Sequence, residues 1–163
     1  MEKYDVSILG AGPGGYVAAL YAAQLGMKVC LIEEDTIGGV CLNYGCIPTK
    51  ALVASAKALS CIRNSENLGI SVENVTFNFQ IIAKRKKEIV EKLKNGTESL
   101  LKARKVIIKR GKGILIDKNA IRVEKDSIQS KYIIIATGSG PVDMPFAKFD
   151  GRSILSSKEM LEL

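Results

Sequence analysis

Hydrophobic residues along this chain alternate between short unbroken runs and longer spaced stretches. Val6 to Leu9 is a short run ending at glycines; Tyr16 to Leu25 is rich in alanine and leucine, with Gly26 where a helix C-cap belongs. Val29-Cys30-Leu31-Ile32 is a second run, ending at Glu33, so residues 6 to 33 predict a βαβ unit with a parallel strand pair. After a Gly38-Gly39 turn, Val40 to about Ile62 is helical in composition, and Phe77 to about Lys102 reads as a long amphipathic helix. Val106 to Lys109 predicts a third parallel strand, and alternating runs between Gly111 and Ser130 predict a small antiparallel meander. Tyr132-Ile133-Ile134-Ile135-Ala136 predicts a buried strand stopped by Thr137-Gly138-Ser139-Gly140-Pro141, and Val142 to Leu163 reads as a connector.

At 163 residues and 47% hydrophobic content the chain fits one domain with a substantial core. It has no apolar run of about eighteen residues, and it opens straight into a strand instead of a charged and then apolar leader, so the reading is cytoplasmic with no membrane partner. An excess of 24 Lys+Arg over 17 Asp+Glu gives +7, but the charge is scattered. The one dense run, Lys84-Arg85-Lys86-Lys87, is followed by Glu88 and Glu91 on the same predicted helix. A solvated helix face explains it better than a nucleic-acid footprint, and Trp is absent. Four cysteines without any histidine or CxxC pair leave redox chemistry favoured and metal binding unsupported.

Gly10-Ala11-Gly12-Pro13-Gly14-Gly15 matches GxGxxG between a strand and a helix, and Glu33 follows eighteen residues after Gly15. Gly10 permits the tight turn, Gly12 lets backbone approach a pyrophosphate, and Gly15 lets helix pack on sheet. The diphosphate then meets the unpaired N–H groups and positive dipole of the helix start, while Glu33 can accept hydrogen bonds from a ribose. Strand, helix, spacing and acid agree on a dinucleotide. They leave FAD and NAD undecided.

Cys41 and Cys46 stand five positions apart, which in an ideal helix separates their Cα atoms by roughly 8–9 Å. A disulfide needs less than about 7 Å. Bridging them demands a distorted first turn, and Asn43, Gly45 and Pro48 are residue types that permit one. So short a loop suits dithiol chemistry, with the helix start expected to lower the thiol pKa; the alternative is a pair of unlinked buried thiols. Lys50, four residues beyond Cys46, falls on the same helix face, where a cation favours a thiolate or a reduced cofactor.

The stretch from Gly38 to Leu52, GGVCLNYGCIPTKAL, resembles the redox-disulfide signature of the flavin disulfide reductases, the pyridine nucleotide-disulfide oxidoreductase family. Its Leu-Asn…Ile-Pro form is most similar to the dihydrolipoamide dehydrogenase branch, and Gly10 to Glu33 and Ala136 to Ser139 resemble the same family in the same order. The resemblance implies an α/β, Rossmann-like FAD-binding domain with a parallel sheet, flanking helices and a small antiparallel β-meander. It implies FAD as cofactor, with NAD used by the full-length enzyme at a site outside this chain. In the implied roles, Cys46 lies against the flavin as the charge-transfer thiolate, Cys41 is the interchange thiol toward the dithiol substrate, and Lys50 sits near the flavin. Gly10, Gly12, Pro13 and Gly15 serve the diphosphate, Glu33 and Glu34 the adenosine ribose, and Gly38, Gly39 and Val40 line the cofactor. Gly113 offers a backbone contact to the adenine end, and Ala136, Thr137, Gly138 and Ser139 form the strand-end turn beside the FAD. Cys30 and Cys61 match no family role and read as core or helix-face thiols.

The implied activity is oxidation of dihydrolipoamide by a Cys41–Cys46 disulfide and FAD, with electrons passed to NAD. The implied partners are the lipoyl-bearing acyltransferase of a 2-oxo acid dehydrogenase complex and a second copy of the full-length chain. The family's acid-base histidine has no counterpart here, because the chain contains none. Residues 1–140 are therefore expected to be an incomplete FAD-binding domain and 141–163 a connector toward a missing NAD-binding domain. The piece alone is expected to be inactive and to hold FAD weakly. A glutathione or mercuric type of reductase, or a non-catalytic nucleotide-binding module, are the alternatives.

Overall fold

The computed structural model describes residues 2–162, and its sheet is built around strand β1 (Glu2–Leu9), buried over Val6 to Leu9. On one side lies β2 (Val29–Glu33), parallel and buried throughout, followed by β3 (Ile107–Arg110), also parallel. On the other side β6 (Asp126–Ile135) runs parallel to β1, and β5 (Ala120–Val123) and β4 (Gly113–Asp117) continue the sheet antiparallel. The order is β3-β2-β1-β6-β5-β4. Strands β1 and β2 have neighbours above, below and on both edges, which is why their sequences are unbroken apolar runs.

Helices α1 (Pro13–Gln24) and α4 (Phe79–Ala103) cover one face, where Ala19, Ala22 and Leu101 pack against Val6, Ile8, Val29 and Leu31. On the opposite face Ile121, Val123 and Ile128 of the antiparallel end pack against Leu9, Cys30 and Ile32. The meander thus curls back over the parallel strands, and its tightest approach is at Gly113. A Cβ there would drive into the Leu9 side chain and lie 3.1 Å from Ile32 Cγ2. Cys30 is fully buried in this layer, and burial pushes its thiol up to about 11, as suits an inert core sulfur.

The α/β class, the parallel core and the antiparallel meander agree with the sequence expectation, but the last strand differs in two ways. The last strand of the meander and the segment Tyr132–Ile135 are one continuous strand, pairing with β5 over Asp126–Gln129 and with β1 from Ile128 to Ile135. That segment is not buried: Tyr132 and Ile135 are each 65% exposed. Helix α1 packs on β1 and β2, and β5 stops pairing at Gln129, so beyond it Tyr132, Ile134 and Ile135 stay exposed, while Ile133 and Ala136 are partly buried against the core layers. Composition records a capacity for burial, and only a neighbour realises it.

The helical stretch after Gly38 is two helices, α2 (Gly39–Tyr44) and α3 (Cys46–Arg63), parted at Gly45. Helix α4 starts at Phe79, two residues later than expected, because the Asn78 side chain caps it by accepting from the Ile81 N–H at 3.2 Å. The basic run on α4 is only partly a solvated face. Lys84 faces Glu88 at the surface, but Arg85 donates to the Ala51 carbonyl of α3 at 3.0 Å and Lys86 donates to the Leu161 carbonyl. Leu161 belongs to α5 (Ser157–Glu162), so the connector returns and packs on α2 and α4. No helix among the described residues is long and apolar enough to cross a membrane.

Candidate functional site

The glycine turn links β1 to α1, and its conformation is fixed by contacts as well as by freedom. Gly10 has φ +93°, its N–H donates to the Ile32 carbonyl at 2.8 Å, and a Cβ on it would collide with the Ala136 carbonyl. A Cβ on Gly15 would overlap the Gly10 carbonyl oxygen. Helix α1 then opens with Pro13 in its first turn, no side-chain cap and no acidic residue there. Its leading N–H groups and dipole are thereby free for an acceptor from outside the helix, an arrangement that favours an anion.

Glu33, at the end of β2, is nearly buried and faces this turn. Its Oε2 accepts from the Ala11 N–H at 2.6 Å and its Oε1 from the Asp35 N–H at 2.9 Å. The carboxylate therefore braces the glycine turn against the following loop, and each oxygen keeps a further lone pair for a hydroxyl donor. Beyond it, the Gly38 N–H donates to the Ala11 carbonyl at 2.8 Å, and a Cβ on Gly39 would come within 2.6 Å of Gly12 Cα. The starts of α1 and α2 abut, glycine on glycine. Asn43 closes the second turn by donating from Nδ2 to the carbonyls of Ile37 (3.0 Å) and Gly39 (2.9 Å).

One cleft of about 700 Å³ follows from this juxtaposition, running from the glycine turn to the two thiols. Of the residues singled out in the sequence, Gly10, Gly12, Pro13, Glu33, Glu34, Gly39, Val40, Cys41, Cys46 and Ala136 to Ser139 line it. Gly113 lines an adjoining hollow of about 230 Å³ with Glu33, Glu34, Lys112 and Thr137. Gly15, Gly38 and Lys50 are not on the wall: the two glycines act inside the scaffold, and Lys50 is solvent-exposed. Gly14, Asp35, Thr36, Tyr44 and Gly45 also line the cleft and were not expected as cofactor contacts. Their signal was contiguity, since they sit inside the glycine turn, the post-strand loop and the two-cysteine segment. Among the described residues no group of His, Cys, Asp and Glu could hold a metal ion.

Cys41 lies in α2, and Cys46 is the first residue of α3. Between them Gly45 leaves helical geometry, with φ −142° and ψ −111°, and a Cβ there would press to 3.0 Å from the Val40 carbonyl. This is the distortion that the spacing demanded, and it sets the two free thiols beside each other. The expected lowering of the thiol pKa does not hold for Cys41. The neighbouring Cys46 sulfur, and after it burial, hold the Cys41 thiol above its ordinary range, against a smaller opposite pull from the Lys50 cation. Helix α2 is only six residues long, so its dipole is outweighed by the adjacent thiol. A raised pKa keeps the neutral thiol to higher pH. Iodoacetamide alkylation of Cys41 in the reduced protein should therefore rise along a pH curve whose midpoint lies above that of a free cysteine. A midpoint below it would contradict this geometry.

Comparison with known proteins shows the family. A family model described as pyridine nucleotide-disulphide oxidoreductase matches residues 4–162. The chain is 47% identical to a dihydrolipoyl dehydrogenase of Staphylococcus aureus, over 98% of this chain and 35% of that protein. It is 48% identical to a dihydrolipoyl dehydrogenase of Geobacillus stearothermophilus, over 98% and 34%. Among solved structures, LpdA from Mycobacterium tuberculosis superposes with a TM-score of 0.87 at 27% identity, covering 100% of this chain and 37% of that one. The HOCl-induced flavoprotein disulfide reductase RclA from Escherichia coli superposes with a TM-score of 0.80 at 29% identity, covering 98% and 34%. The chain spans about a third of the length of the curated relatives it matches.

Proposed function

Because the chain belongs to the pyridine nucleotide-disulphide oxidoreductase family, we propose that it is the FAD-binding, dithiol-bearing portion of a dihydrolipoamide dehydrogenase. The observation that carries this is the single cleft joining an uncapped, glycine-built helix start to a pair of adjacent thiols. The cleft fits the cofactor on its own evidence. An added Cβ on Gly12 would meet only Gly39 Cα, at 3.9 Å, so glycine there leaves open the space where a diphosphate would approach bare backbone, and the cleft volume lies in the range of cofactor sites, about 300–1,000 Å³.

FAD, when bound, supplies the two-electron acceptor that thiols alone lack. The α1 N-terminus and Gly12 would hold its diphosphate, Glu33 and Glu34 the adenosine ribose, and the Gly113 hollow the adenine end. Ala136 to Ser139, Gly39 and Val40 shape the remaining walls. At the far end, a thiolate of the reduced dithiol substrate attacks Cys41 of the oxidised pair. The Cys41–Cys46 bond breaks, a mixed disulfide forms, and Cys46 leaves as thiolate. The second substrate thiol then displaces Cys41, so substrate leaves as a cyclic disulfide and two electrons remain on Cys41 and Cys46. The Lys50 cation favours the Cys41 thiolate. NAD reduction, proton transfer to and from the substrate, pairing with a second copy and docking of a lipoyl-bearing acyltransferase are assigned to the full-length protein.

The test is purification of the full-length protein followed by a substrate panel. Stoichiometric FAD and NAD reduction with dihydrolipoamide, at a rate well above that with glutathione or a mercuric salt, is the expected result. A flavin-free preparation, or a preference for another substrate, would replace the reading.

A further inference from the structure

Tyr44 stands between the two cysteines, is the last residue of α2 and directly precedes the Gly45 break. Its ring is half-buried, and the Nζ of Lys158 on α5 sits 4.1 Å from the ring centroid. Its hydroxyl donates to Asp35 Oδ2 at 3.1 Å. Asp35 is itself fixed by its N–H on Glu33 Oε1, with the Arg110 guanidinium donating to its carbonyl at 3.4 Å. Burial, and then the Asp35 carboxylate, hold the Tyr44 phenol above its ordinary range, so it remains a donor.

A tether therefore runs from the acid at the end of β2, through Asp35 and Tyr44, to the turn between the thiols. Backbone geometry alone does not supply it. Gly45 is loose in conformational terms, and Asn43 fixes the entrance of α2 rather than its exit. We propose that Tyr44 is the positioning residue of the dithiol, its hydroxyl anchored on Asp35 so that Cys41 and Cys46 are held within bonding reach. The proposal rests on the redox reading above, since only a pair that closes to a disulfide needs its spacing set.

The experiment uses the full-length flavoprotein, equilibrated anaerobically in mixtures of reduced and oxidised dithiothreitol, acid-quenched and mapped by mass spectrometry. Closing the pair passes two electrons and two protons to the oxidised reagent. Tyr44→Phe keeps the ring and its lysine contact but loses the tether, so the equilibrium constant for closing Cys41–Cys46 should fall about three- to tenfold. Asp35→Ala should match it, whereas Asp35→Asn, which keeps an acceptor oxygen, should stay near the parent. The ratio of alkylation rates at Cys41 and Cys46 should shift in the first two variants only. A Tyr44→Phe or Asp35→Ala protein with the parent constant, flavin content unchanged, would overturn the proposal. A parent protein whose two sulfurs never join would instead overturn the redox reading.

Discussion

Replacing Gly15 with alanine is expected to unfold the nucleotide end of the domain, with a loss of more than about 4 kcal/mol and of bound flavin together. The new methyl would occupy the space of the Gly10 carbonyl oxygen, and backbone cannot give way as a side-chain tip can. Relief requires α1 to move off the sheet, and the buried contacts of Ala19 and Ala22 move with it. A control of opposite sign lies in the same chain. Gly96, inside α4, has nothing within 4 Å of an added Cβ, so Gly96→Ala should stabilise by about 0.5–1 kcal/mol through helix propensity. Urea midpoints and flavin absorbance of the two variants side by side measure both effects. A Gly15→Ala protein with the parent midpoint would show that helix and turn are not packed as described.

The largest functional effects should come from the thiols. Cys41→Ser and Cys46→Ser in the full-length protein are each expected to reduce dihydrolipoamide oxidation by at least about a thousandfold, since a serine cannot close or open a sulfur bridge. The pair should separate in the absorption spectrum. With the proposed roles, Cys41→Ser retains the long-wavelength band of a thiolate against the flavin, and Cys46→Ser loses it. The opposite pattern would exchange the two roles while leaving the site in place.

Much of this molecule is readable along the chain because its strongest constraints are local. A parallel core strand must be apolar on both faces, so β1 and β2 announce themselves as runs. A helix start that cradles an anion needs glycine at fixed offsets, and two thiols that must meet need a helix interrupted between them. The break at Gly45 is the interruption that closing a five-residue spacing would demand.

What the sequence could not supply depends on which groups are brought together across distance. Tyr132 to Ala136 has the composition of a buried strand, yet β5 pairs no further than Gln129 and Tyr132, Ile134 and Ile135 stay exposed. The sequence suggested Glu33 and Gly12 as ligand groups, but the bracing of Ala11 by Glu33 and the abutment of Gly12 on Gly39 arise only when two loops fold together. Cys41 was expected to be acidified by a helix start, and the sulfur beside it reverses the sign. By itself the sequence determined the βαβ core, the glycine turn and the interrupted two-cysteine helix, because each is fixed by the sterics of a few consecutive residues. Only the tertiary structure decided the curl of the meander, the single cleft and the tether on Tyr44, because those are contacts between segments whose order along the chain carries no distance.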